Sequence, residues 1–324
     1  MSPQLFPLMS KRFFKYIPEV FLEKGGGYFY RFYSKLPTLQ PRISAECNVK
    51  LGKWTLNTPV GLSSGWADSI EKMFIAHKLG ARFVTSKTIT LNPRKGNPRP
   101  RIIRGEQFLI NSMGLPNPGV KAWAHMLERN PPSYPWIQSI FGHSPREYIA
   151  LIEILEPFVE IFEFNFSCPN TEHNLPDIET AIAQIRDIAS ITNKPVFVKL
   201  SPSNTPKGNK RIAEKTREYI EGLVLINTIP IQHPNLGNHS KRGGLSGEII
   251  FPELLKHLKE VRSSFPTFDD LPIIATGGIT SAQRAYVVKK EYDSIVSTIT
   301  GFLQEGPRVF DILSLGLKHA CKKR

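Results

Sequence analysis

Eight short stretches rich in Val, Ile, Leu and Phe recur along the chain. They fall at Thr58–Ser64, Arg82–Thr90, Trp136–Phe141, Val159–Phe164, Pro195–Leu200, Gly222–Asn227, Pro272–Thr276 and Ser294–Thr298. Runs this short and this apolar read as strands buried on both faces, as in a parallel sheet. Helix-patterned segments separate them. The clearest is Asp177–Thr192, with an acidic start and an apolar stripe at Ile178, Ala181, Ile182, Ile185 and Ile188. Strands alternating with helices eight times predict an α/β fold, a (β/α)8 TIM barrel. A doubly wound open sheet is the alternative that the same alternation admits. A hairpin is expected ahead of the barrel, Arg42–Leu51 and Lys53–Leu56 about Gly52. No internal repeat points to a solenoid. The 324 residues accommodate one barrel of about 250 residues with its loops, so residues 41–324 are expected to form it and residues 1–40 a helical extension.

Polar residues and glycines gather where these runs end. Ser63, Ser64 and Gly65 end the first; Lys87 and Thr88 lie near the end of the second; Asn165 and Cys168 follow the fourth. Lys199 closes the fifth, Asn227 and Thr228 the sixth, Gly277 and Gly278 the seventh, and Thr298, Thr300 and Gly301 the eighth. Singly, each has a dull explanation as a rim charge or a turn. Together they fall at the C-terminal ends of the strands, where barrel sites are built. Gly277-Gly278 opening a helix at Thr280, with Thr300-Gly301, fits a phosphate held by backbone N–H groups. Gly243-Gly244-Leu245-Ser246-Gly247 is a flexible loop able to approach it. The chain carries no G-x-G-x-x-G after a strand.

Asn165-Phe166-Ser167-Cys168-Pro169-Asn170-Thr171 concentrates two carboxamides, hydroxyls and a thiol. Carboxamides present donor and acceptor together, which suits a flat ligand edged with C=O and N–H. A thiol can serve as base or nucleophile once its pKa of roughly 8.5 is lowered. A lone Cys-Pro is more often an inert buried pair. The company of the other strand ends shifts the balance toward chemistry.

The formal charge of +14 suits an anionic small ligand, an anionic membrane surface or nucleic acid, and does not choose among them. Cys47, Cys168 and Cys321 are odd in number and far apart, so neither a disulfide framework nor a zinc cluster is expected, and a reducing compartment is. No metal is expected. No apolar run approaches the roughly 20 residues of a membrane span, and Met1–Ser10 is too short for a secretory signal. Residues 1–40 place Phe13, Phe14, Tyr16, Phe21 and then Tyr28-Phe29-Tyr30-Arg31-Phe32-Tyr33 among basic groups, broken by Gly25-Gly26-Gly27. Two short amphipathic helices of this kind can lie on a membrane surface or cap the domain's own core.

Several motifs resemble those of the dihydroorotate dehydrogenases, flavin barrels of pyrimidine synthesis. They are Gly96-Asn97-Pro98-x-Pro100-Arg101, Ile110-Asn111-Ser112-Met113-Gly114-Leu115-Pro116-Asn117, Asn165-x-Ser167-Cys168-Pro169-Asn170, Lys199, Asn227-Thr228, Gly243–Gly247 and Ala275-Thr276-Gly277-Gly278, in the family's order from about residue 45 to 315. The resemblance implies oxidation of dihydroorotate to orotate through FMN, with Cys168 as base. It implies substrate contacts from Lys87, Asn111, Met113, Gly114, Leu115, Asn165, Asn170, Asn227 and Thr228. Cofactor contacts are implied for Ser63, Ser64, Gly65, Lys87, Thr88, Asn165, Lys199, Asn227, Gly247, Gly277, Gly278, Thr298 and Thr300.

The chain combines traits of the family's two branches. Cys168, Lys87 and the Asn111–Asn117 run resemble the soluble branch, which uses fumarate or a partner-linked NAD. The aromatic N-terminal segment resembles the membrane branch, which uses quinone but carries a Lys soon after the first strand's glycine; here Trp66-Ala67-Asp68 follows Gly65. Thr171-Glu172-His173-Asn174 replaces the usual Pro-Gly pair. Quinone is the favoured acceptor, with fumarate or NAD as the alternative, and the expected location is the cytoplasmic side, peripheral to the membrane or free of it. A homodimer is admitted by the sequence, not read from it. Two other functions compete: a flavin barrel reducing tRNA uridine, and a flavin-containing surface protein without chemistry. Scattered basic residues speak against the first and no nucleic-acid partner is expected; Cys168 with both lysines speaks against the second.

Overall fold

The computed structural model describes residues 43–167 and 176–322. The expected N-terminal helices lie outside these residues, as do Cys168 and Asn170. After a hairpin, β1 (Val49–Leu51) and β2 (Trp54–Leu56), come strand β3 (Val60–Leu62), helix α1 (Ile70–Lys78) and β4 (Phe83–Thr85). Two further strands, β5 (Ile102–Arg104) and β6 (Phe108–Asn111), precede α2 (Val120–Arg129), β7 (Trp136–Ile140), α3 (Pro145–Leu155) and β8 (Phe162–Asn165). Then follow α4 (Ile178–Ala189), β9 (Val196–Lys199), α5 (Thr205–Thr216), β10 (Gly222–Leu225), β11 (Ile229–Gln232) and β12 (Arg242–Gly247). The chain continues with α6 (Phe251–Arg262), β13 (Ile273–Thr276), α7 (Ala282–Tyr292), β14 (Ile295–Thr298), α8 (Thr300–Glu305) and α9 (Arg308–Cys321).

Strands β3, β4, β7, β8, β9, β10, β13 and β14 pair in parallel and close on themselves, making the (β/α)8 barrel. Each grows from one of the eight apolar runs. Their residues divide by parity. Phe162, Phe164, Val196 and Val198 point outward into the core shared with the helices. Phe83, Ile137, Ile161, Phe197, Val224, Ile274 and Ile295 point inward and fill the lower barrel, where Leu51 and Leu56 of the hairpin join them. Gly61 is required there, because a Cβ at this position would stand 2.3 Å from a ring carbon of Phe83. Helix α4 is the amphipathic segment expected at residues 177–192. Its cap is Asp177, whose carboxylate accepts from the Thr180 amide at 3.0 Å, and Ile182, Ile185 and Ile188 are buried.

A second sheet, antiparallel in the order β11-β12-β6-β5, was not legible in the sequence. The run Gly243–Gly247, read as a flexible loop, is its strand β12. Glycine is needed because a Cβ on Gly243 would sit 2.9 Å from the Asn111 carbonyl, and one on Gly244 would collide with the Thr228 hydroxyl.

The cysteine expectation is overturned: Cys47 and Cys321 form a disulfide, Cα atoms 5.5 Å apart, across 274 residues of sequence. Barrel closure explains it, since α9 returns the chain's end to the segment that leads into the hairpin. Spacing along the sequence carries no trace of that return. Cross-linking such distant residues restricts the unfolded chain. Cys47→Ser is expected to lower unfolding stability by about 2–5 kcal/mol, read as a lower urea midpoint; an unchanged midpoint would mean that the crosslink stabilises nothing.

Candidate active site

A chain of side-chain hydrogen bonds runs across the strand ends at the C-terminal mouth of the barrel. Ser64 Oγ contacts Thr88 Oγ1 at 3.3 Å, and Thr88 Oγ1 in turn meets Ser139 Oγ at 2.9 Å. The Asn165 amide donates to Thr88 Oγ1 at 3.1 Å. Its carbonyl oxygen accepts from the Ser167 hydroxyl at 2.8 Å. Asn227 Nδ2 donates to Ser167 Oγ at 2.8 Å and to the Ser167 carbonyl at 3.0 Å, while its own Oδ1 accepts from the Thr228 amide at 2.8 Å. Across the mouth, Ser63 Oγ links Thr276 Oγ1 and Ser297 Oγ, each at 2.8 Å. Residues far apart in sequence are thereby fixed relative to one another, and their rotamers are set before any ligand arrives.

Ser63, Ser64, Thr88, Asn165, Asn227, Thr228 and Thr276 line a cleft enclosing about 1400 Å³, its open part included, with Ser139, Ser167 and Ser297 bonded to them. Lys87 and Lys199 reach its wall although they are only 7% and 5% exposed. The Asp68 carboxylate lies 3.7 Å from the Lys87 ammonium and 2.6 Å from that of Lys72. Lys72 also stands over the Trp66 ring, 5.6 Å from its centroid, and Trp66 packs edge-on against Phe302 at 5.0 Å. Among the described residues, the two ammonium groups share this one carboxylate. The opposite rim comes from the second sheet, through Ile102, Leu109 and Asn111.

Every sequence-derived site residue among the described ones reaches the cleft wall except one. Ser63, Ser64, Gly65, Lys87, Thr88, Asn111, Met113, Leu115, Asn165, Lys199, Asn227, Thr228, Gly247, Gly277, Gly278, Thr298 and Thr300 all line it. Gly114 does not. Its backbone, at φ 70°, turns behind the wall against Asn97, where a Cβ would have no room. A second correction concerns the helix expected to open at Thr280. Helix α7 begins at Ala282 with Ser281 as its cap, which leaves Gly277-Gly278 in the turn before it. Trp66, Asp68 and Lys72 were missed as wall residues. Asp68 precedes the Ser69 cap of α1 and Lys72 lies in that helix's first turn, so the fold brings the two together at 2.6 Å.

A flat anionic cofactor carrying a phosphate fits these residues. Gly247, Gly277 and Gly278 all have positive φ, and a Cβ on Gly278 would stand 2.7 Å from the Gly247 carbonyl and 2.9 Å from the Phe251 amide. Two backbone segments thus meet at the cleft wall with no side chain between them. Hydroxyls, carboxamides and the two lysines supply the remaining contacts. Among the described residues no cluster of three His, Cys, Asp or Glu is placed to hold a metal, and no described helix is long and apolar enough to cross a membrane.

The sequence profile of dihydroorotate dehydrogenase matches residues 46–320, most of the chain. The chain belongs to the dihydroorotate dehydrogenase family. The catalytic subunit of the NAD(+)-linked dihydroorotate dehydrogenase B of Pyrococcus furiosus is 34% identical over 276 residues, 82% of this chain and 90% of that protein. The quinone-type dihydroorotate dehydrogenase of Coxiella burnetii is 31% identical over 279 residues, 78% of each. A crystal structure of the Eimeria tenella enzyme, in complex with ferulenol, superposes with a TM-score of 0.79 over 94% of each chain, at 23% identity, and so matches in fold. This dihydroorotate dehydrogenase family member is therefore an oxidoreductase of a flavin-dependent family, and its relatives include both NAD-linked and quinone-linked enzymes.

Proposed function

We propose that the protein oxidises dihydroorotate to orotate through FMN, with Cys168 as the base. The carrying observation is the hydrogen-bonded series Thr88–Asn165–Ser167–Asn227–Thr228, whose middle member Ser167 directly precedes Cys168 in the chain and whose other members line the cleft beside Lys87 and Lys199. Asn111, Asn165, Asn170 and Asn227, with Thr228, hold the planar ring of the substrate by its C=O and N–H edges. Met113 and Leu115 cover it. The lysines favour its carboxylate. Fixing the ring in this way leaves little travel to the reacting atoms. The proton α to the ring carbonyl passes to Cys168, while a hydride leaves the neighbouring carbon and the C=C bond of orotate forms. FMN, when bound, accepts that hydride. Ser63, Ser64, Gly65, Thr88 and Lys199 hold its ring side, and Gly247, Gly277, Gly278, Thr298 and Thr300 its phosphate. Dihydroorotate added without oxygen should bleach the yellow protein; a colourless protein that takes up no FMN, or a yellow one that dihydroorotate leaves unbleached, defeats the proposal.

Asn111→Ala is expected to weaken orotate binding by about 1–3 kcal/mol, because a ligand polar group is left unpaired in an enclosed site. Titration with orotate measures it. Flavin content should stay the same; loss of flavin in step with orotate would place Asn111 with the cofactor.

For reoxidation we favour quinone at a membrane surface. The support is the aromatic and basic segment before residue 41, the proposed extension to the barrel of residues 41–324. Phe13, Phe14, Tyr16, Phe21 and Tyr28–Tyr33 crowd there with six Lys or Arg, a composition that anchors at an anionic bilayer and that fumarate chemistry does not need. Removing residues 1–38 should abolish quinone turnover and liposome binding and spare flavin reduction. Turnover of the intact protein with fumarate or NAD alone would overturn this.

A further inference from the structure

Glu163 lies on β8, two residues before Asn165, and is 1% exposed. Its position in the alternation is settled by its neighbours. Phe162 and Phe164 belong to the outer core and Ile161 to the inner one. Glu163 therefore faces the barrel interior, on the same side of the strand as Asn165. It pairs in register with Ser139 on one side and Phe197 on the other, and Asn165 pairs with Lys199. Glu163 thus stands one layer beneath the cleft, with Lys199 as the inward neighbour one step further along the adjacent strand. Its Oε1 is buried without any hydrogen-bond partner.

A buried carboxylate left unpaired is costly unless a proton or an opposite charge compensates it. We infer that Glu163 is the counter-charge of Lys199, a positioning residue that holds the lysine's ammonium at the cleft floor and sets the electrostatic field there. The two sit on a diagonal of the barrel wall rather than in direct contact. In an interior screened by protein rather than water, opposite charges couple more strongly than they do in water. Phe197, Ile137 and Ile161 flank Glu163 from the layer beneath and beside it, and the Ser139 hydroxyl is its polar neighbour in register. The arrangement leaves the lysine's donors directed at the cleft. For the flavin part, the inference rests on the proposed FMN reading, because a reduced flavin gathers negative charge, which the uncompensated lysine would stabilise.

Glu163→Gln, Lys199→Met and the double variant test this in two ways. In flavin-free protein, urea unfolding should show Glu163→Gln destabilising the wild-type background. The same change should stabilise the Lys199→Met background by about tenfold in the folding equilibrium, because there it removes an orphaned charge. In flavin-loaded protein, Glu163→Gln should raise the midpoint potential, favouring the reduced form at least tenfold, about 30 mV for two electrons. The same stability change in both backgrounds, or an unmoved potential, overturns the inference. Should Glu163→Gln fail to fold alone, recovery of folding in the double variant supports the pair, and failure in both backgrounds overturns it. A protein that takes up no flavin defeats the FMN reading, and the unfolding comparison alone then decides whether the two charges are coupled.

Discussion

Cys168→Ala is expected to slow reduction of the bound flavin by dihydroorotate at least roughly 10²-fold, the usual scale for losing a general base. The hydride cannot leave its carbon unless the neighbouring proton is taken, and no other side chain proposed at the site offers a comparable base. Asn165 and Asn227 are carboxamides. Lys87 stands 3.7 Å from the Asp68 carboxylate. Orotate should bind the variant almost as tightly as the wild type, because the carboxamides that hold it remain. Cys168→Ser should retain binding and be slow at neutral pH, since a hydroxyl is a far weaker acid than a thiol. Anaerobic stopped-flow mixing, with absorbance followed at the flavin band, separates the two effects. Full-rate reduction in the alanine variant would mean that the base lies elsewhere.

The barrel was legible because parallel strands buried on both faces must be apolar throughout. Gly222–Leu225 and Ile273–Thr276 are buried at every position and have no solvent face to vary. The second sheet was hidden for the opposite reason. Strand β12 reads Arg242-Gly243-Gly244-Leu245-Ser246-Gly247, a composition that strands ordinarily avoid, and only the close approach of Asn111 and Thr228 makes it necessary. Site residues at strand ends were readable, since topology sends every such end to one mouth. Trp66, Asp68 and Lys72 escaped because their contribution depends on how α1 packs beside Lys87. The Cys47–Cys321 bond is a consequence of closure, which local sequence does not encode.

Arg262→Ala should be the most damaging single change to stability away from the site, at about 3–5 kcal/mol. Arg262 ends α6 and is 7% exposed. Its Nε donates to the Tyr292 carbonyl at 2.6 Å. Nη1 donates to the carbonyls of Phe265, Thr267 and Leu271 at 3.0, 2.6 and 2.9 Å, and Nη2 to the Asp293 carbonyl at 2.9 Å and Ser294 Oγ at 3.1 Å. One side chain thus satisfies the turns that lead into both β13 and β14. Burial pushes the guanidinium pKa down to about 10, with Asp293 and Asp270 opposing the shift, so it stays charged at neutral pH. Truncation takes a donor from five backbone carbonyls, of which those of Tyr292 and Thr267 keep a second one from Ser294 Oγ and the Leu271 amide. Arg262→Lys should rescue little, because three donors on one nitrogen cannot span a planar fork of contacts. These turns precede their strands and so lie at the end of the barrel away from the cleft. Molecules of the variant that remain folded should therefore bind orotate normally, while urea unfolding shows a much lower midpoint. A loss below about 1 kcal/mol, the worth of one ordinary hydrogen bond, would show that the carbonyls find other partners and that the guanidinium is not what joins the two turns.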